Sequence, residues 1–290
     1  IPPMVDEHNR LHARFSQAGT TTGRMSSQHP NLQNLPTKTE RGRKIRQAVI
    51  APERSVLAAF DYSQVELRIA AFLSGDEKLI ATFAEGGDIH TRVASEMFAV
   101  PPEEVDYEMR RRAKVISFGI LYGMGVNALR VQLGVERKEA QEYLNAYFQN
   151  FSGLAQYLEE TKVVARHQGF TKTFFGRKRH FEGITSSLPF VRAAAERMAI
   201  NAPIQGTQAD ITKLAMSAVD RWLEAEGYRD EVQLILQVHD ELVYEVPEKK
   251  LAEIAPHIIE CMQSILSLED TRGVPLKVDM KQGRNWGELG

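Results

Sequence analysis

The segment from Val232 to Val246 restricts the fold more than any other. Val232, Leu234, Leu236 and Val238 alternate with Gln233, Ile235 and Gln237; beyond a break, Leu242, Tyr244 and Val246 alternate with Glu241, Val243 and Glu245. A period of two on both arms predicts an antiparallel hairpin with one packed and one wetter face. A short apolar strand from Ser55 to Phe60, ending at Asp61, a helix over 248–266 and a last strand from Pro275 to Met280 complete an α+β part.

The middle of the chain has a different period. Gln64 to Leu73 reads as a helix up to Ser74-Gly75, and helices follow at about 76–84, 88–98, 106–122, 136–149 and 151–167, punctuated by Gly, Pro and Asp. Phe170 to Phe175 reads as a strand, and a long helical region from Pro189 to Glu226 is expected to break at Pro203 and Gly206. Residues 1–54 lack sustained periodicity and read as loops and short pieces.

A chain of 290 residues has room for roughly two domains. With 43% hydrophobic and 26% charged residues it is globular rather than disordered. The single cysteine, Cys261, excludes an internal disulfide and a thiolate metal cluster, and fits a reducing, cytoplasmic setting. The longest apolar-looking stretch, Val115 to Leu129, is interrupted by Ser, Gly and Asn and is too short for a membrane span. The net charge of -2 is an average over unlike parts. Residues 1–60 carry nine Lys/Arg against four Asp/Glu, residues 162–198 eight against two, and residues 231–290 six against eleven. With Arg110-Arg111-Arg112, the two basic segments suit a polyanionic partner.

Three constellations carry chemistry. The hairpin turn holds His239-Asp240, followed by Glu241, where Asn-Gly or Asp-Gly would be the ordinary choice. Asp61 closes the strand before a helix, where a helix cap is the plain reading. If the two strands are neighbours, Asp61 and Asp240 converge and suit a pair of divalent ions, with Mg²⁺ favoured by hard oxygen ligands. Third, Arg110, Lys114, Phe118 and Tyr122 follow at four-residue steps, spiralling over one helix face while rising about 18 Å. Ala113, Ile116 and Ile120 lie opposite and anchor the helix. Two cations followed by two rings match a nucleoside triphosphate laid along that face.

Asp61-Tyr62-Ser63-Gln64-Val65-Glu66-Leu67-Arg68, the Arg110/Lys114/Phe118/Tyr122-Gly123 helix and Gln237-Val238-His239-Asp240-Glu241 resemble the three signature motifs of family A DNA polymerases, the bacterial DNA polymerase I group. Their order and spacing agree, as do Thr22-Gly23-Arg24-Met25-Ser26-Ser27, Gly87-Asp88-Ile89-His90 and Asn201-Ala202-Pro203-Ile204-Gln205-Gly206.

The resemblance implies an α+β right-hand polymerase. A palm built on an antiparallel sheet would span 1–75 and 186–290, and mostly helical fingers 76–185. It implies a monomeric DNA-directed DNA polymerase that joins a dNTP to the 3′-hydroxyl of a primer-template DNA and releases pyrophosphate. Asp61, Tyr62 and Asp240 would hold two Mg²⁺ ions, Glu241 would support them, and Lys114 would be the acid for pyrophosphate. Gln64, Glu66, His90, Arg110, Lys114, Phe118 and Tyr122 would bind the nucleotide, Glu66 lying beneath the sugar to block a 2′-hydroxyl. Arg24, Arg197, Asn201, Gln205 and His239 would contact primer and template near the terminus. A thumb and exonuclease or exonuclease-like domains are expected in the parent protein, so this stretch alone should bind DNA weakly and extend it poorly.

Val115 and Ser117 stand where Thr and Asn are common in relatives, Gln208 stands where Ala is usual, and His180-Phe181-Glu182 replaces an aromatic-Leu-Pro. None removes a proposed catalytic group. A single-subunit RNA polymerase, a noncatalytic nucleic-acid-binding module and a metal-dependent nuclease are the alternatives. Glu66, Phe118 and His239-Asp240-Glu241 favour the DNA enzyme over the first, the aspartates argue against the second, and the triphosphate helix argues against the third.

Overall fold

A computed structural model describes residues 2–36 and 39–289. Its strands are β1 (Arg14–Ser16), β2 (Ser26–Gln28), β3 (Ser55–Tyr62), β4 (Phe170–Lys172), β5 (Lys178–His180), β6 (Gln233–Val238), β7 (Glu241–Pro247) and β8 (Val278–Gly283). Its helices are α1 (Glu40–Gln47), α2 (Val65–Ser74), α3 (Glu77–Ala84), α4 (Ile89–Phe98), α5 (Tyr107–Leu121), α6 (Val126–Leu133), α7 (Arg137–Asn150), α8 (Ser152–Gln168), α9 (Pro189–Ala225) and α10 (Leu251–Gln263). The class is α+β, as expected. The chain forms two compact units, one of residues 1–65, 208–265 and 276–290, the other of 66–207 and 266–275.

The first unit is built on an antiparallel sheet of order β6-β7-β3-β8. β3 is central, which is why Val56 to Phe60 are all buried and show no alternation. Leu57 and Ala59 share one face with Val243 of β7 and pack there against Trp286, Leu236 and Val238. On the other face Phe60 meets Tyr244 edge to face at 6.0 Å, and Tyr62 donates its hydroxyl to the Met262 carbonyl of α10 at 2.6 Å. The second unit is helical apart from the β4-β5 ribbon. Asp76, Asp88 and Asp106 cap α3, α4 and α5, their side chains accepting from Leu79, His90 and Met109 N–H groups.

Several expectations are corrected. Within residues 1–54, read as loops and short pieces, the basic run forms the two-turn helix α1, capped by Thr39. The alternation of the first hairpin arm fails at a bulge between Leu234 and Leu236, so Gln237 is buried rather than on a wet face. Phe170 to Phe175 is not one strand: β4 stops at Lys172, and the chain turns through Phe174 and Gly176 into β5. The last strand runs to Gly283 because its register is set by pairing with β3. α9 does not break at Pro203: the ring removes one N–H, and burial of Ala199, Ile200, Ala202 and Ile204 holds the helix on both sides. Helix α6, ended by Gly134 at φ 68°, was not expected. Asp61 lies within β3 and is not a helix cap.

Candidate functional site

The sheet register brings the acidic residues of the first unit together. Asp61 lies opposite Glu241 of β7 on one side and Asp279 of β8 on the other. Asp240 follows in the turn, where its carbonyl accepts from the Tyr62 N–H at 3.3 Å. Burial, then repulsion from Asp240 and Asp279, pushes Asp61 up to about 7 against the pull of Lys281. Burial and Asp61 push Glu241 up to about 7, against Arg46 and Lys281. Arg46 is anchored over the Trp286 ring at 4.2 Å.

Carboxylates held close enough to raise one another are short of positive charge, which fits a divalent cation. Among the described residues no group of three or more Asp, Glu, His or Cys side chains is arranged to hold a metal ion. Tyr62 cannot offer its phenol, which is buried and donates to Met262. The expected metal contact from Tyr62 would therefore have to come from its main chain.

In the second unit α5 presents the expected face. Ala113, Ile116 and Ile120 are buried, Arg110, Lys114 and Tyr122 are exposed, and Phe118 is half-buried. Arg110 grips Asp88 through Nε at 2.6 Å and Nη2 at 3.3 Å. Burial pushes Asp88 up, but the bonds from Arg110 and Thr91 outweigh it and hold the carboxyl at about 2. His90 is buried, with its ring 5.9 Å from that of Phe118. Its Nδ1 has no hydrogen-bond partner among the described residues. Burial pushes His90 down to about 4; Asp88 opposes the shift, and Lys114 and Arg110 add to it. Tyr122 donates its hydroxyl to Glu66 at 2.7 Å, and Glu66 is only 7% exposed. Gln64 sits in the turn ahead of α2 with φ 55°.

Gly123 ends this helix for a steric reason. Its φ is 69°, and a Cβ there would lie 2.9 Å from Arg197 Cγ and 3.0 Å from Ile200 Cδ1 of α9. Asn201, one turn beyond Arg197, is buried and donates to the Leu121 carbonyl at 3.2 Å, tying α9 to the end of α5. Arg197 is exposed and Gln205 half-buried. In the first unit Arg24 donates from Nε to Gln208 at 3.0 Å, and His239 is exposed in the hairpin turn with φ 58°.

The model of DNA polymerase family A matches residues 1–288. The chain belongs to DNA polymerase family A. It is 48% identical over 289 residues to DNA polymerase I of Pseudomonas aeruginosa, covering 99% of this chain and 31% of that protein. To the thermostable DNA polymerase I of Thermus aquaticus it is 48% identical over 287 residues, covering 99% and 34%. The chain thus spans about a third of the length of these curated relatives. Among solved structures it is similar to the POL domain of Pol1 from M. smegmatis in complex with DNA primer-template and dNTP. The TM-score is 0.93 at 43% identity, over 99% of this chain and 50% of that one. The fold is that of a family A polymerase domain.

For a family A polymerase chain, the sequence reading left three charged neighbours of the Asp61 and Glu241 pair unnoticed. Asp279, Lys281 and Arg46 all act on the carboxylate cluster. Asp279 was visible only as the penultimate residue of an expected strand, and only the register sets it beside Asp61. Asp88 looked like part of a motif, and only the fold pairs it with Arg110.

Proposed function

We propose that this chain is the palm and fingers of a template-directed DNA polymerase, acting as a monomer in the cytoplasm on primer-template DNA. It transfers a deoxynucleotidyl group from a dNTP to the primer 3′-hydroxyl and releases pyrophosphate. The observation that carries the reading is the carboxylate cluster set by strand register around Asp61, in which burial and neighbouring carboxylates raise the proton affinity of Asp61 and Glu241 and so favour a cation. The palm would comprise residues 1–75 and 186–290 and the fingers 76–185; the division of the chain into a sheet unit and a helical unit supports that reading.

Asp61, Asp240 and the Tyr62 main chain would hold two Mg²⁺ ions, with Glu241 in support. When bound, such ions lower the pKa of the attacking hydroxyl and neutralise the triphosphate. Arg110 and Lys114 bind the phosphates, and Lys114 gives the leaving pyrophosphate its proton. His90, neutral at pH 7, meets a phosphate as a hydrogen-bond donor rather than a cation. Phe118 packs on the sugar and base, Glu66 excludes a 2′-hydroxyl, Tyr122 lies near the templating position, and Gln64 assists in binding the nucleotide. Arg24, Arg197, Asn201, Gln205 and His239 follow the minor groove, whose acceptors vary little with sequence, so pair geometry is tested while every pair is accepted.

The test is primer extension by the full-length protein with Mg²⁺, supplied in parallel with dNTPs or rNTPs. Extension with dNTPs, lost in Asp240→Ala while DNA binding persists, is the expected result. Preference for rNTPs, or synthesis by the variant, would overturn the assignment.

A further inference from the structure

Gln208, in the part of α9 that belongs to the sheet unit, is a polar side chain only 1% exposed. Its Oε1 accepts from Arg24 Nε at 3.0 Å, and its Nε2 donates to the His239 carbonyl at 3.0 Å and reaches Thr212 Oγ1 at 3.4 Å. The partners leave no choice of amide orientation. A guanidinium nitrogen can only donate, so the atom facing Arg24 is oxygen; a carbonyl can only accept, so the atom facing His239 is nitrogen.

The His239 carbonyl also accepts from Gln237 Nε2 at 2.7 Å, and Gln237 is held by Gln33 Nε2 at 2.9 Å through Oε1 and 3.1 Å through its main-chain carbonyl. That carbonyl belongs to the peptide joining His239 to Asp240. Two donors therefore fix the peptide plane of a turn in which His239 takes φ 58°, a conformation a non-glycine residue rarely adopts. Fixing the plane fixes the Cα from which the Asp240 carboxylate projects. One of the two donors is the same amide that receives Arg24.

We infer that Gln208 is a positioning residue that couples the DNA-contacting Arg24 to the turn carrying Asp240, so that engagement of the primer terminus and placement of the catalytic carboxylate are linked. The inference rests on the polymerase reading. Gln208 touches neither DNA nor metal in this role; it acts through Arg24 and His239. A side chain of the same length without the amide would fill the space and break the link.

The experiment compares wild type, Gln208→Met, Arg24→Ala and the double variant in the full-length protein. It measures single-turnover kcat, dNTP KM, DNA affinity, and extension of paired against mispaired primer termini. Gln208→Met is expected to lower kcat about tenfold with dNTP KM and DNA affinity within twofold, and to blunt discrimination against mispaired ends. Arg24→Ala should then cost markedly less kcat in the Gln208→Met background than in wild type. Wild-type kcat in Gln208→Met, or additive effects of the two changes, would overturn the inference. So would a fall in kcat that only tracks a lowered melting temperature. If Gln208→Met does not fold, Gln208→Glu, which keeps the bond to Arg24 and loses the donor to His239, decides the matter. Reduced kcat at normal DNA affinity supports the link, and unchanged kcat removes it. Wild type and Asp240→Ala run alongside: synthesis by the first and not the second upholds the polymerase reading whatever Gln208 does.

Discussion

Tyr122 Oη donates to the Glu66 carboxylate at 2.7 Å, joining the end of α5, the helix proposed to bind the nucleotide, to the residue proposed to exclude ribose. Glu66 lies in the first turn of α2 and is buried, so its carboxylate is held on a hydrogen bond to a charged group, worth about 1.5–3 kcal/mol. Tyr122→Phe keeps the ring and removes the donor. The expected result is a rise of about tenfold or more in rNTP relative to dNTP incorporation, read from kcat/KM for both. Unchanged sugar selection would show that Glu66 needs no fixing.

Arg110 is bound to Asp88 through two nitrogens, and a triphosphate bound at Arg110 as proposed would compete with that carboxylate for the same guanidinium. Both side chains are partly exposed, so the pair contributes only about 0.2–1 kcal/mol. Asp88→Asn keeps a capping oxygen for α4 while removing the charge. The dNTP KM is expected to fall by up to about fivefold with kcat little changed. A rise in KM would mean that Asp88 aims Arg110 at the nucleotide rather than competing with it.

His90 makes stability depend on pH. Unfolded histidine takes up its proton near 6.5, whereas in the fold burial delays uptake to about 4. Between these values the unfolded state binds more protons, so stability is full above about 6.5 and declines as pH falls toward 4. The loss reaches up to about 3 kcal/mol. Thermal unfolding across pH 4–7 should show a shallower decline for His90→Gln than for wild type; parallel curves would contradict the shift.

Gly123 combines φ 69° with close approach to Arg197 and Ile200, so Gly123→Ala adds both backbone strain and a clash. A loss of about 1–3 kcal/mol is expected. Calorimetry or circular dichroism would record it as a drop of several degrees in Tm. An unchanged Tm would show that α9 can move away from the end of α5 without cost.

Local chemistry made much of this protein legible in its sequence. The hairpin with its turn at His239-Asp240, the four-residue steps of α5 and the helices that begin near 76, 88 and 106 depend on neighbours within a few residues, and the fold keeps them. Where a rule of local structure met tertiary packing, packing prevailed. Pro203 stays inside α9 because buried residues on both sides hold the helix, and β3 shows no alternation because both its faces are covered. The bulge in β6 turned Gln237 inward, where it holds the His239 carbonyl, a role its place in an alternating run would not suggest.

By itself the sequence determined which groups are present and which share an element: Asp61 at the end of an apolar strand, Asp240 in a turn, and Arg110, Lys114, Phe118 and Tyr122 along one helix face. Only the tertiary structure decided what they meet. Asp279 opposes Asp61 through strand register, Arg110 meets Asp88 through helix packing, and Gln208 links Arg24 to His239 across 184 and 31 residues of chain. The reason is physical. Periodicity encodes the direction of a side chain relative to its own backbone, whereas charge, proton affinity and hydrogen bonding depend on neighbours brought close by burying the sheet and helices.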